Sequence, residues 1–348
     1  MKLILLFLYI IKTSPSKKDE IEIQKKNGLY NVLVTGGAGF IGMHTSIHLK
    51  KNGHHVVAYD IMNSYYSQAL KRARVKKLYK KQIPFVRADV CNASALKSVI
   101  KQHQINRIVH LAAQAGVRYS LGHPHEYVHS NVDCFVTLLE TIKTLNVRLV
   151  YASSSSVYGK NTKVPFSESD PVDQPVSLYA ATKRSDELIA HVYYNLYNQQ
   201  SIGLRFFTVY GPWGRPDMAY WSFTKNILEQ TPIKMFNHGN LERDFTYIDD
   251  VVYGIVASLN VLSQTPLILN LGSHRPVNLK RFIEIIETSA GQKAIIESVK
   301  MQSGDVPRTY ANISRSRQVL GYNPTTSLED GISRFVTWYQ RIKLERFS

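Results

Sequence analysis

From residue 30 onward, short and nearly continuous apolar runs alternate with longer stretches whose apolar residues recur at helical spacing. Continuous apolar runs are typical of strands that are covered on both faces, as in a parallel sheet. Strands are predicted at 31–35, 56–60, 84–90, 107–111, 149–153 and 202–207, and helices at 41–51, 93–102, 127–145 and about 177–197. This alternation predicts an α/β fold with a Rossmann-type doubly wound parallel sheet, whose binding crevice lies at the carboxyl ends of the strands.

The pattern changes after residue 207. Turn formers are concentrated at 211–217, and the helices and short strands that follow no longer alternate regularly. We therefore predict a Rossmann domain over 28–207 and a smaller C-terminal substrate-binding domain over 208–348. Segments within 242–273, including the apolar run 267–271, are expected to return to the first domain.

Residues 1–27 are predicted to form an extension outside the catalytic fold, apolar over 3–11 and largely polar over 12–27. The apolar run is too short to span a bilayer, which needs about 20 residues. We therefore predict no stable membrane span. Weak membrane association or targeting through residues 3–11 stays open.

Charge and cysteine content narrow the functional classes. The net charge of +17 favours anionic ligands, but the densest basic run, 71–81, is typical of a solvated helix and no basic stripe is interleaved with aromatic residues. We therefore expect a small anionic substrate and no nucleic-acid partner. Cys91 and Cys134, the two cysteines, predict neither a disulfide nor a metal site, and they favour a reducing, cytoplasmic location. The twelve histidines also lack metal-ligand spacing, so no metal is predicted.

A glycine loop follows the first predicted strand and opens the first helix. Residues 36–42 read GGAGFIG and fit G-x-G-x-x-G, whose glycines let the backbone approach a pyrophosphate at a helix N-terminus. Asp60 ends the second strand, where a carboxylate binds the adenosine ribose hydroxyls. No arginine follows Asp60 to receive a 2′-phosphate, so the cofactor is predicted to be NAD rather than NADP.

Tyr179 and Lys183 are four residues apart on the helix predicted near 177–197, which places both side chains on one face. An ammonium beside a phenol favours the deprotonated phenol oxygen, which can then accept a proton from an alcohol. The spacing alone is common on helix surfaces. Together with the glycine loop, it predicts proton transfer next to a dinucleotide.

Five longer motifs carry a resemblance to a known family: LAAQAGVRYS at 111–120, ASSSSVYG at 152–159, YAATK at 179–183, RFFTVYGPWGRPDM at 205–218 and RDFTYIDD at 243–250. With the glycine loop, they resemble the extended short-chain dehydrogenases/reductases of the NAD-dependent epimerase/dehydratase family. Among these, the chain is most similar to the UDP-glucuronate 4-epimerases. The resemblance covers nearly everything from about residue 30 to 339, whereas the N-terminal extension departs from bacterial relatives.

The resemblance implies roles for individual residues. Tyr179 would abstract the proton of the reacting hydroxyl, Ser154 would hydrogen-bond that hydroxyl, and Lys183 would hold the nicotinamide ribose. The residues that would contact NAD, besides Tyr179 and Lys183, are Gly36, Gly39, Phe40, Ile41, Gly42 and Asp60, with Asp89 and Val90 flanking adenine and Leu111, Ala112, Ala113 and Gln114 along the cofactor path.

The resemblance also implies how a uronate is recognised. Arg215 would clamp the sugar carboxylate with its planar fork, and Thr208, Ser155 and Ser156 would complete the cage. Galactose-type relatives usually carry Asn at the Thr208 position. Decarboxylases and dehydratases generally carry an acid where this chain has Ser155 and Ser156, so the absence of an acid favours epimerisation.

The nucleotide part of the substrate has weaker signals. Arg118, Arg243 and Asp305 resemble residues around the diphosphate and uridine of a nucleotide sugar. Surface salt bridging is an equally good interpretation of these three residues.

The implied reaction is NAD-dependent 4-epimerisation of UDP-glucuronate to UDP-galacturonate through a 4-keto sugar, by a homodimer formed through the Tyr179–Lys183 helix. One alternative is the same fold acting on another UDP-hexose or decarboxylating the uronate. A more remote alternative is a catalytically idle Rossmann protein whose basic surface binds nucleic acid.

Overall fold

Seven parallel strands form the central sheet of the protein, which we describe from a computed structural model for residues 28–261, 263, 265–301 and 306–344. Across the sheet the strand order is β3-β2-β1-β4-β5-β6-β10. The strands of the chain are β1 Asn31–Thr35, β2 His55–Asp60, β3 Phe85–Arg87, β4 Arg107–His110, β5 Arg148–Ser154, β6 Ser201–Phe206, β7 Thr208–Tyr210, β8 Ile233–Phe236, β9 Glu242–Tyr247, β10 Leu267–Leu271, β11 Pro276–Asn278 and β12 Ile296–Val299. The chain reverses direction across the sheet between β1 and β4, which is where doubly wound folds bind dinucleotides.

Helices cover both faces of this sheet, and α8, α10 and α12 pack against the smaller sheets and one another. The helices of the chain are α1 Phe40–Lys51, α2 Gln68–Lys80, α3 Ala93–Gln102, α4 Tyr119–Gly122, α5 Pro124–Tyr127, α6 Cys134–Ile142, α7 Leu178–Tyr197, α8 Ala219–Leu228, α9 Ile248–Ser258, α10 Leu279–Ala290, α11 Ser314–Leu320 and α12 Leu328–Leu344. Side chains alternate across each strand, so Val32 and Val34 pack into one apolar core and Leu33 into the other. The predicted fold class is confirmed.

Two smaller sheets lie beyond β6. One has the order β11-β9-β7, and the other pairs β12 with β8 in parallel. As expected, 267–271 returns to the central sheet, where β10 pairs with β6. β9 instead joins the three-stranded sheet, and α9 packs against α1.

The largest difference from the predicted elements is within 127–145. In place of one regular helix, the chain forms α5, a wide π-helical turn over Val128–Asp133, and α6. Such a turn accommodates an extra residue and is frequent near functional sites. Here it places the buried Asn131 side chain between the loop after β4 and α7, a long-range role that apolar periodicity does not reveal.

In the described residues, no helix combines the length and the apolar content that a membrane crossing requires. The extension predicted over 1–27 lies outside the described residues, as does Asp305.

Candidate active site

One cleft of about 1460 Å³ runs along the carboxyl ends of the central strands. It is larger than the roughly 300–1,000 Å³ that a single small-molecule site usually occupies, so it has room for two ligands. Every described residue that the sequence analysis placed in a site lines this cleft. The exception, Asp305, lies outside the described residues.

The glycine turn between β1 and α1 forms the floor of one half of the cleft. Gly36 has φ +67°, and a Cβ there would lie 2.7 Å from the carbonyl carbon of Leu111, so both the turn and the close strand approach require glycine. Gly39 precedes α1 and supplies no side-chain cap. The first backbone N–H groups of α1 therefore remain available to an anionic ligand.

The Asp60 carboxylate stands beside this turn at the end of β2. Its two oxygens accept hydrogen bonds from Ala38 N at 3.1 Å and Met62 N at 2.7 Å. Burial raises the pKa of Asp60, although these bonds and the Lys71 ammonium lower it. The carboxylate is thus fixed in orientation at the position expected for a ribose-binding acid.

The basic run 71–81 forms a helix, as predicted, but it is wrong to regard it as uniformly solvated. Lys71 is 5% exposed and Arg74 is fully buried. The Lys71 ammonium donates to Asn63 O at 2.8 Å, and burial lowers the pKa of Lys71 to about 8 despite the neighbouring Asp60. The burial of these two α2 side chains was not predicted, because it depends on a loop from a distant part of the chain that packs over the helix.

Arg74 ties the glycine turn to the loop after β7. Its guanidinium donates to Ala38 O at 3.1 Å, to Trp213 O at 2.7 Å and to Gly214 O at 2.7 Å. The same loop carries Arg215. The two halves of the cleft are therefore joined by a buried cation that sequence reasoning did not identify.

The loop after β4 is fixed by Asn131. Its side chain accepts from Gln114 N at 2.7 Å and donates to Gln114 O at 3.1 Å and to Thr182 Oγ1 at 3.0 Å. Gln114 Nε2 is buried without a hydrogen-bond partner among the described residues. Gln114 lines the cleft, so this unpaired N–H donor is placed to bind an oxygen atom of a ligand such as a dinucleotide.

The Tyr179–Lys183 helix begins at a sequence-encoded cap, because Ser177 Oγ accepts from Ala180 N at 3.1 Å. Tyr179 and Lys183 both line the cleft together with Ser154, whose Oγ accepts from Ser156 N at 3.2 Å in the turn after β5. Lys183 is 2% exposed and donates to Asp186 Oδ2 at 3.0 Å. Burial raises the pKa of Asp186 to about 6, although the Lys183 ammonium lowers it.

A second buried cluster lies below these residues. Glu187 accepts from Ser153 Oγ at 2.6 Å and binds Arg205 through two hydrogen bonds of 2.8 Å. Burial alone would raise the pKa of Glu187, but the Arg205 and Ser153 hydrogen bonds hold it below its ordinary value. The sequence gave only a weak indication of this cluster, because Glu187 is an acid four residues after Lys183 on the same helix.

On the substrate side of the cleft, Arg215 has a carboxylate partner within the chain. Its Nε donates to Asp217 Oδ1 at 3.1 Å and its Nη2 to Asp217 Oδ2 at 2.5 Å, and Tyr65 OH donates to Asp217 Oδ2 at 3.1 Å. Asp217 and Tyr65 were not identified from the sequence. The Arg215 fork is therefore engaged by a carboxylate of its own loop, in the bidentate geometry in which a guanidinium binds carboxylates.

The remaining predicted substrate residues that the structure describes also line the cleft. Thr208 begins β7, and Ser155 and Ser156 form the turn after β5. The Arg118 guanidinium lies 4.9 Å from the centre of the Phe236 ring, and Arg243 donates to Glu242 O at 2.9 Å.

The expectation that the cysteines form no disulfide is wrong, because Cys91 and Cys134 are bonded, with Cα atoms 4.4 Å apart. They are 43 residues apart in sequence. The fold brings the end of the β3–α3 loop against the first residue of α6, a proximity that cysteine counting cannot reveal.

Comparison with known proteins supports the interpretation of this cleft. A family model described as the NAD dependent epimerase/dehydratase family matches residues 32–272. The chain is 48% identical to UDP-glucuronate 4-epimerase 4 of Arabidopsis thaliana over 337 residues, which cover 92% of this chain and 77% of the relative. It is also 46% identical to Protein CapI of Staphylococcus aureus over 326 residues, covering 88% of this chain and 98% of that protein.

The fold is similarly close to a solved structure of UDP-glucuronic acid 4-epimerase from Bacillus cereus in complex with UDP-glucuronic acid and NAD. The TM-score is 0.84 at 35% identity, covering 89% of this chain and 99% of that one.

Proposed function

Because this chain belongs to the NAD-dependent epimerase/dehydratase family, we propose that it interconverts UDP-glucuronate and UDP-galacturonate by 4-epimerisation. The observation that carries the proposal is the composition of one cleft. A dinucleotide cradle, the Tyr179–Lys183 pair and Arg215, which is paired with Asp217, line the same cavity. Two of the named relatives are UDP-glucuronate 4-epimerases, and the one from Bacillus cereus was solved with UDP-glucuronic acid and NAD, in agreement with that chemistry.

We also propose that residues 28–207, with returning segments from 242–273, bind the cofactor and that 208–348 bind the nucleotide sugar. The position of β10 in the central sheet supports this division. Arg118 and Arg243, on opposite sides of the proposed boundary, would both face the substrate diphosphate or uridine, together with Asp305.

NAD is the cofactor of this family, and the cleft fits it. Gly36, Gly39, Phe40, Ile41 and Gly42 would hold the pyrophosphate, and Asp60 the adenosine ribose. Adenine would lie between Asp89 and Val90, and the nicotinamide half would follow Leu111, Ala112, Ala113 and Gln114. When bound, the cofactor supplies a reversible acceptor for the hydrogen at C4 of the sugar.

The chain's own residues would move the proton. Tyr179 would accept it from the C4 hydroxyl and return it after the 4-keto sugar has turned over in the cleft. Ser154 would orient that hydroxyl. Lys183, held by Asp186, would place a positive charge beside the phenol oxygen and the nicotinamide ribose.

A 4-keto uronate is a β-keto acid and therefore loses carbon dioxide when its carboxylate is free to rotate. Thr208, Ser155, Ser156 and Arg215 would fix that carboxylate. Since Ser155 and Ser156 occupy the place of an acid, the turn after β5 supplies no general acid or base at C5.

Product analysis with UDP-glucuronate deuterated at C4 tests the proposed function. We expect UDP-galacturonate that retains the deuterium, because the hydrogen leaves and returns within one active site. UDP-xylose would indicate a decarboxylase, and loss of the label to water would rule out a reversible transfer to the cofactor. Turnover of other UDP-hexoses alone would place the chain with the alternative epimerases.

Arg215→Ala should release carbon dioxide and form a UDP-pentose, because the 4-keto intermediate loses its carboxylate clamp. We expect kcat/KM for UDP-glucuronate to fall by about a hundredfold, corresponding to about 3 kcal/mol for a charge-assisted bidentate contact. The measurement is anion-exchange chromatography of the products over a time course.

Asp217→Asn is the matched control for this prediction, since it weakens the internal pair but keeps the guanidinium. This variant should still give UDP-galacturonate without pentose. If Arg215→Ala gave the wild-type product profile, Arg215 would have no part in holding the uronate.

We further propose a homodimer formed through α7. Leu188, Val192 and Leu196 recur every four residues along α7 and are 52%, 48% and 66% exposed. An apolar stripe of this kind suits the dimer contact through this helix that the resemblance implies. Light scattering should give twice the chain mass of 39.6 kDa, and Val192→Asp should give the monomer mass. Ile295→Asp, an equally exposed site elsewhere, should leave the mass unchanged.

The predicted cytoplasmic location stays a prediction. It depended mainly on the absence of a disulfide, and the Cys91–Cys134 bond removes that support.

A further inference from the structure

The Cys91–Cys134 pair lies at one end of the cofactor cleft. Cys91 follows Val90 directly, and Cys134 lines the cleft beside Asp89. Asp89 Oδ1 contacts both cysteines, since it accepts from Cys91 N at 2.9 Å and lies 3.6 Å from Cys134 Sγ. The bond therefore joins the loop that carries Asp89 and Val90 to the first residue of α6.

We propose that Cys91 and Cys134 form a reversible dithiol–disulfide site that exchanges with external dithiols and controls how tightly the protein retains NAD. The inference rests on the proposed function in one respect, the placement of adenine between Asp89 and Val90.

The two sulfurs differ in their access to solvent. Cys134 is 5% exposed, whereas Cys91 is only partly buried. Cys91 Sγ lies 4.0 Å from Nδ1 of the exposed His129. An imidazole at this distance stabilises a departing or attacking thiolate when it is protonated. Cys91 is thus the sulfur that an external thiol reaches, and Cys134 is the resolving sulfur.

Both directions of the exchange balance. In reduction, an external thiolate attacks Cys91 and displaces the Cys134 thiolate, which takes up a proton. The second thiol of the reductant then attacks its own mixed disulfide and displaces the Cys91 thiolate. Two electrons and two protons pass to the protein, and the external dithiol becomes a disulfide. Oxidation is the reverse, with a disulfide of the same class as electron acceptor.

The consequence for NAD follows from the position of the bond. When it is closed, the Asp89–Cys91 loop and the start of α6 cannot move apart, so the adenine end of the cleft is preorganised. When the bond is open, only noncovalent contacts hold the two segments. NAD must then order them when it binds, and this ordering lowers its affinity. We therefore expect oxidation to slow NAD dissociation.

The test measures NAD dissociation from the full-length protein, without UDP-sugar and with EDTA present, after equilibration with reduced or oxidised dithiothreitol. Mass spectrometry after maleimide labelling counts the thiols in each sample. We expect two thiols in the reduced sample, none in the oxidised one, and dissociation at least about fivefold faster after reduction. NAD should dissociate from Cys91→Ser and from Cys91→Ala in both buffers at the rate measured for the wild-type protein after reduction. A thermal melt should show that both variants are folded.

Equal dissociation rates in the two wild-type states, or a bond that does not re-form, would overturn the proposal. A second result, in samples without EDTA, would also overturn it: an NAD dissociation rate that changes only when Zn²⁺ is added, and that no longer changes with Zn²⁺ when His129 is replaced by alanine. That result would make Cys91, His129 and Cys134 a metal site, since their ligand atoms lie within 4.8 Å of one another. None of these readouts uses epimerisation. Inactivity toward UDP-glucuronate would therefore count against the proposed function and leave this inference standing.

Discussion

Replacing Tyr179 by phenylalanine is expected to lower kcat for epimerisation by about a thousandfold or more while bound NAD is retained. The substitution removes only the phenol oxygen that we propose as the base, and general acid–base catalysis typically contributes 10²–10⁴-fold. The ring keeps its place, because it packs edge-to-face against Tyr127 with centroids 6.0 Å apart. Steady-state product formation measures the loss, and the absorbance of released nucleotide measures the retained NAD.

Tyr253→Phe provides the control, because Tyr253 is 49% exposed on α9 and lies outside the cleft. It should have wild-type kcat. If Tyr179→Phe kept more than a tenth of wild-type kcat with the same product, another group would have to accept the C4 proton. A loss of activity accompanied by loss of NAD would instead indicate a binding role for the tyrosine.

The central sheet was predictable because its strands are short apolar runs with distinct ends. β1 was predicted at its observed bounds, and the apolar run that forms β10 was correctly predicted to belong to the central sheet. The cleft followed from the same pattern, since parallel strands direct their carboxyl ends to one edge. The glycine turn and the Ser154 turn come directly after a strand and Asp60 ends one, so their shared position needed no long-range information.

The residues that were missed depend on contacts between segments distant in sequence. Arg74 is buried because a loop 139 residues later supplies carbonyl acceptors. Cys91 meets Cys134 only once the β3–α3 loop packs against α6. Asp217 is a different case, because it is only two residues from Arg215 and belongs to a recognised motif; its ion pair with Arg215 is visible only in side-chain geometry.

Three of the missed residues, Arg74, Asn131 and Glu187, each join two segments that line the cleft. Arg74 joins the glycine turn to the loop of Arg215, and Asn131 joins the Gln114 loop to α7. Glu187 joins Ser153, near the end of β5, to α7, the helix that carries Tyr179 and Lys183. Geometric control of the site therefore comes from buried polar side chains that do not themselves need to touch a ligand.

The Glu187–Arg205 pair is the contact on which stability should depend most. Glu187→Gln keeps the shape of the side chain but leaves the guanidinium of Arg205, which is 2% exposed, without its anionic partner. Removing one member of a buried ion pair typically costs about 3–5 kcal/mol. We expect urea unfolding at pH 7 to show a loss of that size.

The pH dependence of this loss distinguishes charge from packing. The folded pKa of Glu187 is depressed by Arg205, so the wild-type chain has the full contribution of the pair above the ordinary glutamate pKa of 4.5. It loses that contribution as the pH falls through the folded pKa. Because the glutamine variant does not titrate there, its deficit should shrink below pH 4.5. Glu284→Gln, which breaks an ion pair with Arg281 whose side chains are 55% and 58% exposed, should leave stability nearly unchanged. The loss in the free energy of unfolding of Glu187→Gln could instead be as small as that of the control, or equally large at every pH. Either result would mean that the pair fills space in the core and that its charge does not stabilise the fold.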